Sequence, residues 1–223
     1  DVGRGVAADI DPTHPGFENW GGPGGLRDIH GVTISRNTPS STNFLVWWDG
    51  DLTRELLDQN RIDKWNWQTQ TTENLLIANG SVANNGTKAT PCLSADLFGD
   101  WREEVIWRTP DSNELRIYST TYPTAFRMPT LMQDAIYRLS IVWQNAAYNQ
   151  PPHTSFNMVA RYSSSTKEFP IFPPFALIKV YAIPPPIIIL STFFIRLYRI
   201  LSLLETFAPP NIASTGFFPL FAI

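Results

Sequence analysis

The sequence predicts an all-β chain, a partial β-propeller followed by a hydrophobic tail, and three observations predict it. Short apolar stretches alternate with turn residues: Phe44-Leu-Val-Trp-Trp48, Val105-Ile-Trp107 and Leu115-Arg-Ile-Tyr118. The last has the apolar–polar alternation of a half-buried strand. Turn chemistry is dense, with Asn79-Gly80, Asn84-Asn85-Gly86 and Asp111-Ser112-Asn113 between the stretches. Acidic clusters recur, each closed by a glutamate: Asp9 and Asp11 with Glu18, Asp49 and Asp51 with Glu55, and Asp96 and Asp100 with Glu103 and Glu104. They lie roughly forty to fifty residues apart, the length of one propeller blade. Short strands with near-regular loops favour a propeller over a sandwich.

Gly3-Arg4-Gly5 frees the backbone around a guanidinium that can hold a carboxylate bidentately. Gly21-Gly-Pro-Gly-Gly25 lacks the Lys-Ser/Thr ending of a phosphate-binding loop and reads as a plain loop. Phe44 to Trp48 is a strand ending in the second acidic turn, and Leu75 to Ala78 is a short strand between turns. Asn85-Gly86-Thr87-Lys88 reads as a turn in which Gly86 supplies a positive φ. Its Asn and Thr side chains offer donors and acceptors suited to sugar hydroxyls; a bare hairpin tip with a surface lysine is the plainer reading. Gly99 permits an unusual backbone inside the third acidic loop, and that loop leads into the strand Val105–Trp107. Asp111-Ser112-Asn113 signals a hairpin. Leu131 to Tyr148 fits either a strand pair or one helical turn followed by a strand. Trp143-Gln-Asn through Tyr148 to His153 combines aromatics, amides and a rigid Pro-Pro, the make-up of a sugar-lining loop or of a strand end with a fixed turn.

Net charge is −3 and the pI about 5.6, which argues against general nucleic-acid binding. The single cysteine, Cys92, rules out an internal disulfide and reads as a small buried hydrophobe. Eight tryptophans suit a β core first and sugar-stacking clefts second. The three histidines show no metal-ligand spacing. The chain opens without a basic, apolar leader and reads as starting inside a domain.

Composition divides the chain near residue 170, giving a β portion (1–170) and a tail (171–223). The tail is rich in Phe, Pro and Ile and holds no tryptophan. Its stretch from Ile187 to Leu204 has a short membrane helix's length, but Arg196 and Arg199 sit inside it, so a membrane role is disfavoured. Helical period, alternation and turn chemistry disagree with one another there. That favours a segment read from a wrong frame or an unspliced stretch over an anchor or an appendix.

Loops this acidic must be hydrated, paired or neutralised by a hard cation, which makes calcium the first suspect. Asp96, Asp100 and Glu104 place carboxylates at every fourth position around Gly99, where their oxygens can converge on one ion. The alternative is a solvated acidic turn with Arg102 pairing Glu103.

Longer runs resemble one family. Asp1 to Pro12, Trp47-Trp-Asp-Gly-Asp-Leu52, Asn84 to Thr90, Ala95 to Trp107 and Trp143 to Ser155 look like the C-terminal part of the rhamnogalacturonan lyases of polysaccharide lyase family 11. The likeness runs in order over residues 1 to about 160 and does not reach the tail. It implies the last few blades of an eight-bladed propeller with bound calcium. It implies cleavage of rhamnogalacturonan I, the pectin backbone, between rhamnose and O4 of galacturonate by β-elimination, and a secreted, monomeric enzyme. Residue by residue, Asn85, Gly86, Thr87 and Tyr148 resemble sugar-contacting positions. Lys88 resembles the proton-abstracting base and Arg4 the cation that neutralises the uronate carboxylate. Much of the ring lies upstream of Asp1, so the chain by itself is expected to be inactive or weakly folded. A non-catalytic, calcium-stabilised carbohydrate-binding or adhesion propeller is the competing expectation.

Overall fold

A computed structural model describes residues 4–86, 88–146, 149–162 and 179–180. All of them fall in the unit Asp1–Ala182. The fold is mostly antiparallel β-sheet. The first sheet comprises β1 (Val6–Ala8), β2 (Glu18–Trp20), β3 (Leu26–Arg27) and β4 (Thr33–Ser35). The second comprises β5 (Phe44–Val46), β6 (Glu55–Asp58), β7 (Arg61–Asn66) and β8 (Thr71–Ile77). The third comprises β9 (Leu93–Ala95), β10 (Glu104–Arg108), β11 (Leu115–Tyr118) and β12 (Lys179–Val180). In each sheet the strands lie in chain order, each paired with the next. The tail from 171 onward lies outside the described residues except for β12, which pairs with β11 through Leu115–Val180 and Arg116–Lys179.

Local chemistry explains the turns. The Asn66 side chain accepts the N–H groups of Gln68 and Thr69, both at 3.0 Å, which bends the chain between β7 and β8. Asp111 accepts the Asn113 N–H at 3.2 Å while Ser112 takes a φ of 61°, and the expected hairpin forms between β10 and β11. Gly50 is required by space: a Cβ there would lie 2.1 Å from the Pro123 carbonyl oxygen.

The segment from Leu131 is helical beyond the single turn the sequence suggests. A 3-10 turn (Leu131–Gln133) leads into α1 (Ala135–Trp143), and α2 (Met158–Tyr162) follows. Asp134 caps α1, its carboxylate accepting the Ile136 N–H at 2.9 Å. This cap outweighs the β-branched content that makes the stretch look strand-like.

Side-chain alternation sorts the core. On the second sheet Leu45, Leu56 and Trp65 pack with Ala8, Ile10, Trp20 and Leu26 of the first-sheet region. Phe44, Val46, Leu57 and Ile62 turn the other way and pack with Val105 and Trp107 of the third. The second sheet is thus apolar on both faces, and β5 is buried throughout. A third cluster gathers Trp47, Leu52 and Trp101 from the acidic loops against Leu131, Tyr137 of α1 and Met158 of α2.

One arrangement recurs in all three sheets. The first strand's last residue pairs with a buried glutamate that opens the second strand: Ala8 with Glu18, Val46 with Glu55, Ala95 with Glu104. Backbone bonds join the sheets at matching positions. The Arg54 N–H donates to the Asp9 carbonyl and the Glu103 N–H to the Trp47 carbonyl, both at 2.8 Å.

Candidate functional site

The acidic loops share one device. A single oxygen of each closing glutamate accepts two successive backbone N–H groups of its loop. Glu18 Oε2 takes those of Ile10 and Asp11 at 2.9 and 3.0 Å. Glu55 Oε2 takes those of Trp48 and Asp49 at 2.7 and 3.3 Å. Glu104 Oε2 takes those of Leu97 and Phe98 at 2.9 and 3.0 Å. The glutamates expose 1 % of their surface or less, so each is a buried carboxyl group whose oxygen anchors a tight loop.

The loops differ at the glutamate's other oxygen. In the first, Glu18 Oε1 and Asp9 Oδ1 are buried with no hydrogen-bond partner. Asn157 donates to Asp9 Oδ2 at 2.9 Å, and Asp11 is engaged by Thr13 and by His14 Nδ1 at 3.0 Å. In the second, the Lys64 ammonium lies among the acids, 2.7 Å from Asp51 Oδ2, 3.0 Å from Glu55 Oε1 and in contact with Asp49 Oδ2. In the third, Glu104 Oε1 accepts from Ser119 at 3.1 Å. Asp96 accepts from Gly99, Thr130 and Leu131 at 2.7–2.8 Å, and Arg102 pairs with Asp100, not with Glu103. Gly99 takes the positive φ of 78° that its loop suggested.

Burial pushes Asp9 up to about 6 and Glu18 to about 7, with repulsion from Asp11 and Asp51 added at Asp9 and from Asp9 and Asp11 at Glu18. Burial pushes Glu55 up to about 8 against the pull of Lys64. Burial alone would lower the Lys64 amine, yet Glu55, Asp51 and Asp49 together hold it above its ordinary value. Burial also lifts Glu104 to about 8.

These geometries bear unequally on a metal. Among the described residues, Asp49, Asp51 and Glu55 are the set whose carboxylate oxygens all come within 4.8 Å of one another, a spacing that could hold an ion. Lys64 stands on those same acids. The first loop offers two unpartnered buried oxygens, although its three acids do not gather at that spacing, whereas the third has committed its Asp96 and Glu104 oxygens to N–H and O–H donors.

The other candidates gather elsewhere. The Arg4 guanidinium donates to Asn43 Oδ1, which also accepts from Asn149 Nδ2 at 3.3 Å. Asn149 Nδ2 reaches the Lys88 carbonyl at 2.6 Å, and Asn43 Nδ2 donates to Asp58. The Arg4 side chain and the main chain at Lys88, 84 positions apart by their numbers, are therefore linked through two asparagines. Asn85 shapes the Lys88 backbone, accepting its N–H at 2.5 Å and the Ala89 N–H at its carbonyl. Gly86 does not supply the positive φ expected of it, and a Cβ there would meet nothing within 4 Å. The left-handed residue of this loop is Ala89, with φ 53°. Thr87 and Tyr148 lie outside the described residues.

Sequence reasoning passed over several partners. Asn43 precedes the strand Phe44–Val46 and reads as its polar edge. Lys64 reads as a surface lysine in a strand. Arg54, buried, stacks 4.0 Å over the Trp47 ring and pairs with Glu103 at 3.4 Å. Tyr137, its phenol held well up by burial and by Glu103, donates to Glu103 at 2.7 Å. An arginine beside a closing glutamate was a usable signal; the rest depends on contacts distant in sequence.

The comparisons with known proteins place the chain among the lyases that act on rhamnogalacturonan. Residues 1–168 match the rhamnogalacturonan lyase family 11, C-terminal domain, and the chain belongs to that family. It is 65 % identical over 156 residues to the rhamnogalacturonan endolyase YesW of Bacillus subtilis (strain 168), covering 70 % of this chain and 25 % of that protein. It is 53 % identical over 172 residues to the rhamnogalacturonan exolyase YesX of the same organism, covering 70 % and 28 %. The Bacillus licheniformis rhamnogalacturonan lyase structure shares 64 % identity at a TM-score of 0.69, over 71 % of this chain and 27 % of that one. The chain thus spans about a quarter of the length of the relatives it matches. No helix among the described residues is long and apolar enough to cross a membrane. The stretch from Ile187 to Leu204 lies outside them.

Proposed function

We propose that residues 1–170 form the closing portion of a secreted, monomeric lyase that cleaves rhamnogalacturonan I by β-elimination. The three consecutive four-stranded sheets with matching registers support reading them as neighbouring blades of a propeller. The observation that supports the functional reading is that Asn43 and Asn149 tie the Arg4 guanidinium to the main chain at Lys88, which brings the two segments together.

The chemistry runs from that corner. The proton on C5 of a uronate is hard to remove while the adjacent carboxylate keeps its charge. A guanidinium at Arg4 neutralises that charge as it builds in the transition state. Lys88 removes the C5 proton as general base. The electron pair left on C5 forms the C4–C5 double bond as the bond from C4 to O4 breaks, and O4 leaves on the rhamnose, taking a proton from water to become its hydroxyl. Asn85, Gly86, Thr87 and Tyr148 hold the neighbouring hydroxyls. Calcium, when bound, would supply positive charge to the acidic loops, and in the first loop Asp9 Oδ1 and Glu18 Oε1 are the oxygens left to receive it.

The test uses a full-length lyase that carries this sequence as its C-terminal part. Lys88→Ala should lower kcat by a factor of about 10²–10⁴, the usual contribution of a positioned base, read as absorbance of the unsaturated uronate. Unchanged turnover would remove Lys88 from the role. Binding of rhamnogalacturonan I with no product from the parent protein would favour a non-catalytic binding propeller instead.

A further inference from the structure

The second acidic loop looks like the best metal site in the molecule, and its geometry argues the opposite. Each of its carboxylates divides its labour. Asp49 Oδ1 accepts the Asp51 N–H at 2.9 Å, Asp51 Oδ1 accepts the Thr53 N–H at 2.8 Å, and Glu55 Oε2 accepts the Trp48 N–H at 2.7 Å. The oxygens left over, Asp49 Oδ2, Asp51 Oδ2 and Glu55 Oε1, all receive the Lys64 ammonium, with Thr53 Oγ1 at 3.5 Å. A tetrahedral ammonium has three N–H donors and finds three carboxyl oxygens as acceptors. A divalent ion would use the same oxygens.

We propose that Lys64 is a resident cation that takes the place of a metal ion, so that the Asp49–Glu55 loop is held without calcium and excludes it. The sheets carry a matching series. Leu56 pairs with Asp63, so the next step along the ladder sets Glu55 against Lys64. Val105 pairs with Tyr118, which sets Glu104 against Ser119, and Ser119 donates to Glu104 Oε1 at 3.1 Å. Asn19 pairs with Arg27, which sets Glu18 against Asp28, another acid. The residue opposite the closing glutamate is therefore an acid, a base and a hydroxyl in turn. At the second sheet it answers the glutamate's charge from within the chain.

The experiment compares calcium titrations of the full chain, stripped with EDTA, by calorimetry. Lys64→Gln should bind one more calcium per chain than the parent, because the amide leaves three carboxylates without a cation. Asp51→Asn in the parent background should leave the stoichiometry unchanged. A drop in calcium bound by Asp51→Asn would overturn the proposal, since the native loop would then be holding an ion. A folded Lys64→Gln variant that gains no site would overturn it too. If that variant fails to fold, Asp51→Asn decides alone. The comparison is a difference between variants, so it reports on Lys64 whether or not the first loop binds calcium.

Discussion

The first and second acidic loops have nearly the same sequence logic and opposite electrostatics. Both place two aspartates between strands, and both are pinned by one oxygen of a buried glutamate that accepts two successive N–H groups. In the first, the glutamate's second oxygen and an aspartate oxygen are buried without partners. In the second, a lysine from the third strand reaches both aspartates and the glutamate. The number of acids in a loop therefore does not report its need for a metal. The residue across the ladder does.

The comparison breaks most sharply at the lysine. With calcium chelated, Lys64→Ala should destabilise the fold by roughly 2–4 kcal/mol. That is near the low end for unpairing a buried charge, because half of Asp51 faces solvent. Urea unfolding would measure it. A loss under 1 kcal/mol would mean that the second loop carries its acids unaided, as the first does.

A subtler change should move the two loops in opposite directions. In chelator, Glu18→Gln keeps an oxygen for the Ile10 and Asp11 N–H groups and removes an unpartnered charge, so it should raise Tm by a few degrees. Glu55→Gln weakens the bond to Lys64 and should lower stability by about 1–2 kcal/mol. The pH dependence follows from the same groups. Asp9 and Glu18 are raised in the fold, to about 6 and about 7 from 3.8 and 4.5. The folded state therefore holds more protons than the unfolded one in that window. Their penalty is absent below pH 4 and grows to full size as pH rises through 7. Chelated protein should lose Tm across this window, calcium should flatten the slope, and Glu18→Gln should reduce it. A flat profile in chelator would contradict the assignment.

The smallest effect is expected at the rim of the first loop. His14 meets Asp11 at 3.0 Å but keeps 39 % of its side chain exposed. His14→Ala should cost under about 1 kcal/mol, as exposed ion pairs do. A larger loss in urea melts would show that His14 helps the first loop as Lys64 helps the second.

Much of this was legible in the sequence. The closing glutamates stand out at each cluster, and the Asp111–Asn113 hairpin forms where its turn residues lie. What escaped has a common cause. Lys64 lies between Asp63 and Trp65 in a strand and looks like any solvent-facing lysine until β6 and β7 are in register. Asn43 and Asn149 acquire meaning only when loops more than a hundred residues apart come together. Gly86 was given a backbone role by its type, while Ala89 takes the left-handed conformation. The α1 helix hid behind its apolar run, although Asp134 was in place as a cap.

The bonds from the Arg54 and Glu103 N–H groups to the Asp9 and Trp47 carbonyls use no side chain. Mutation can therefore exchange an aspartate for a tryptophan at one end, or an arginine for a glutamate at the other, and leave the seam between neighbouring sheets intact. The seam rests on the path of the main chain rather than on residue identity. Sheets tied in this way are free to diverge in composition while keeping their geometry, so letter-by-letter self-comparison of the sequence would understate how alike they are.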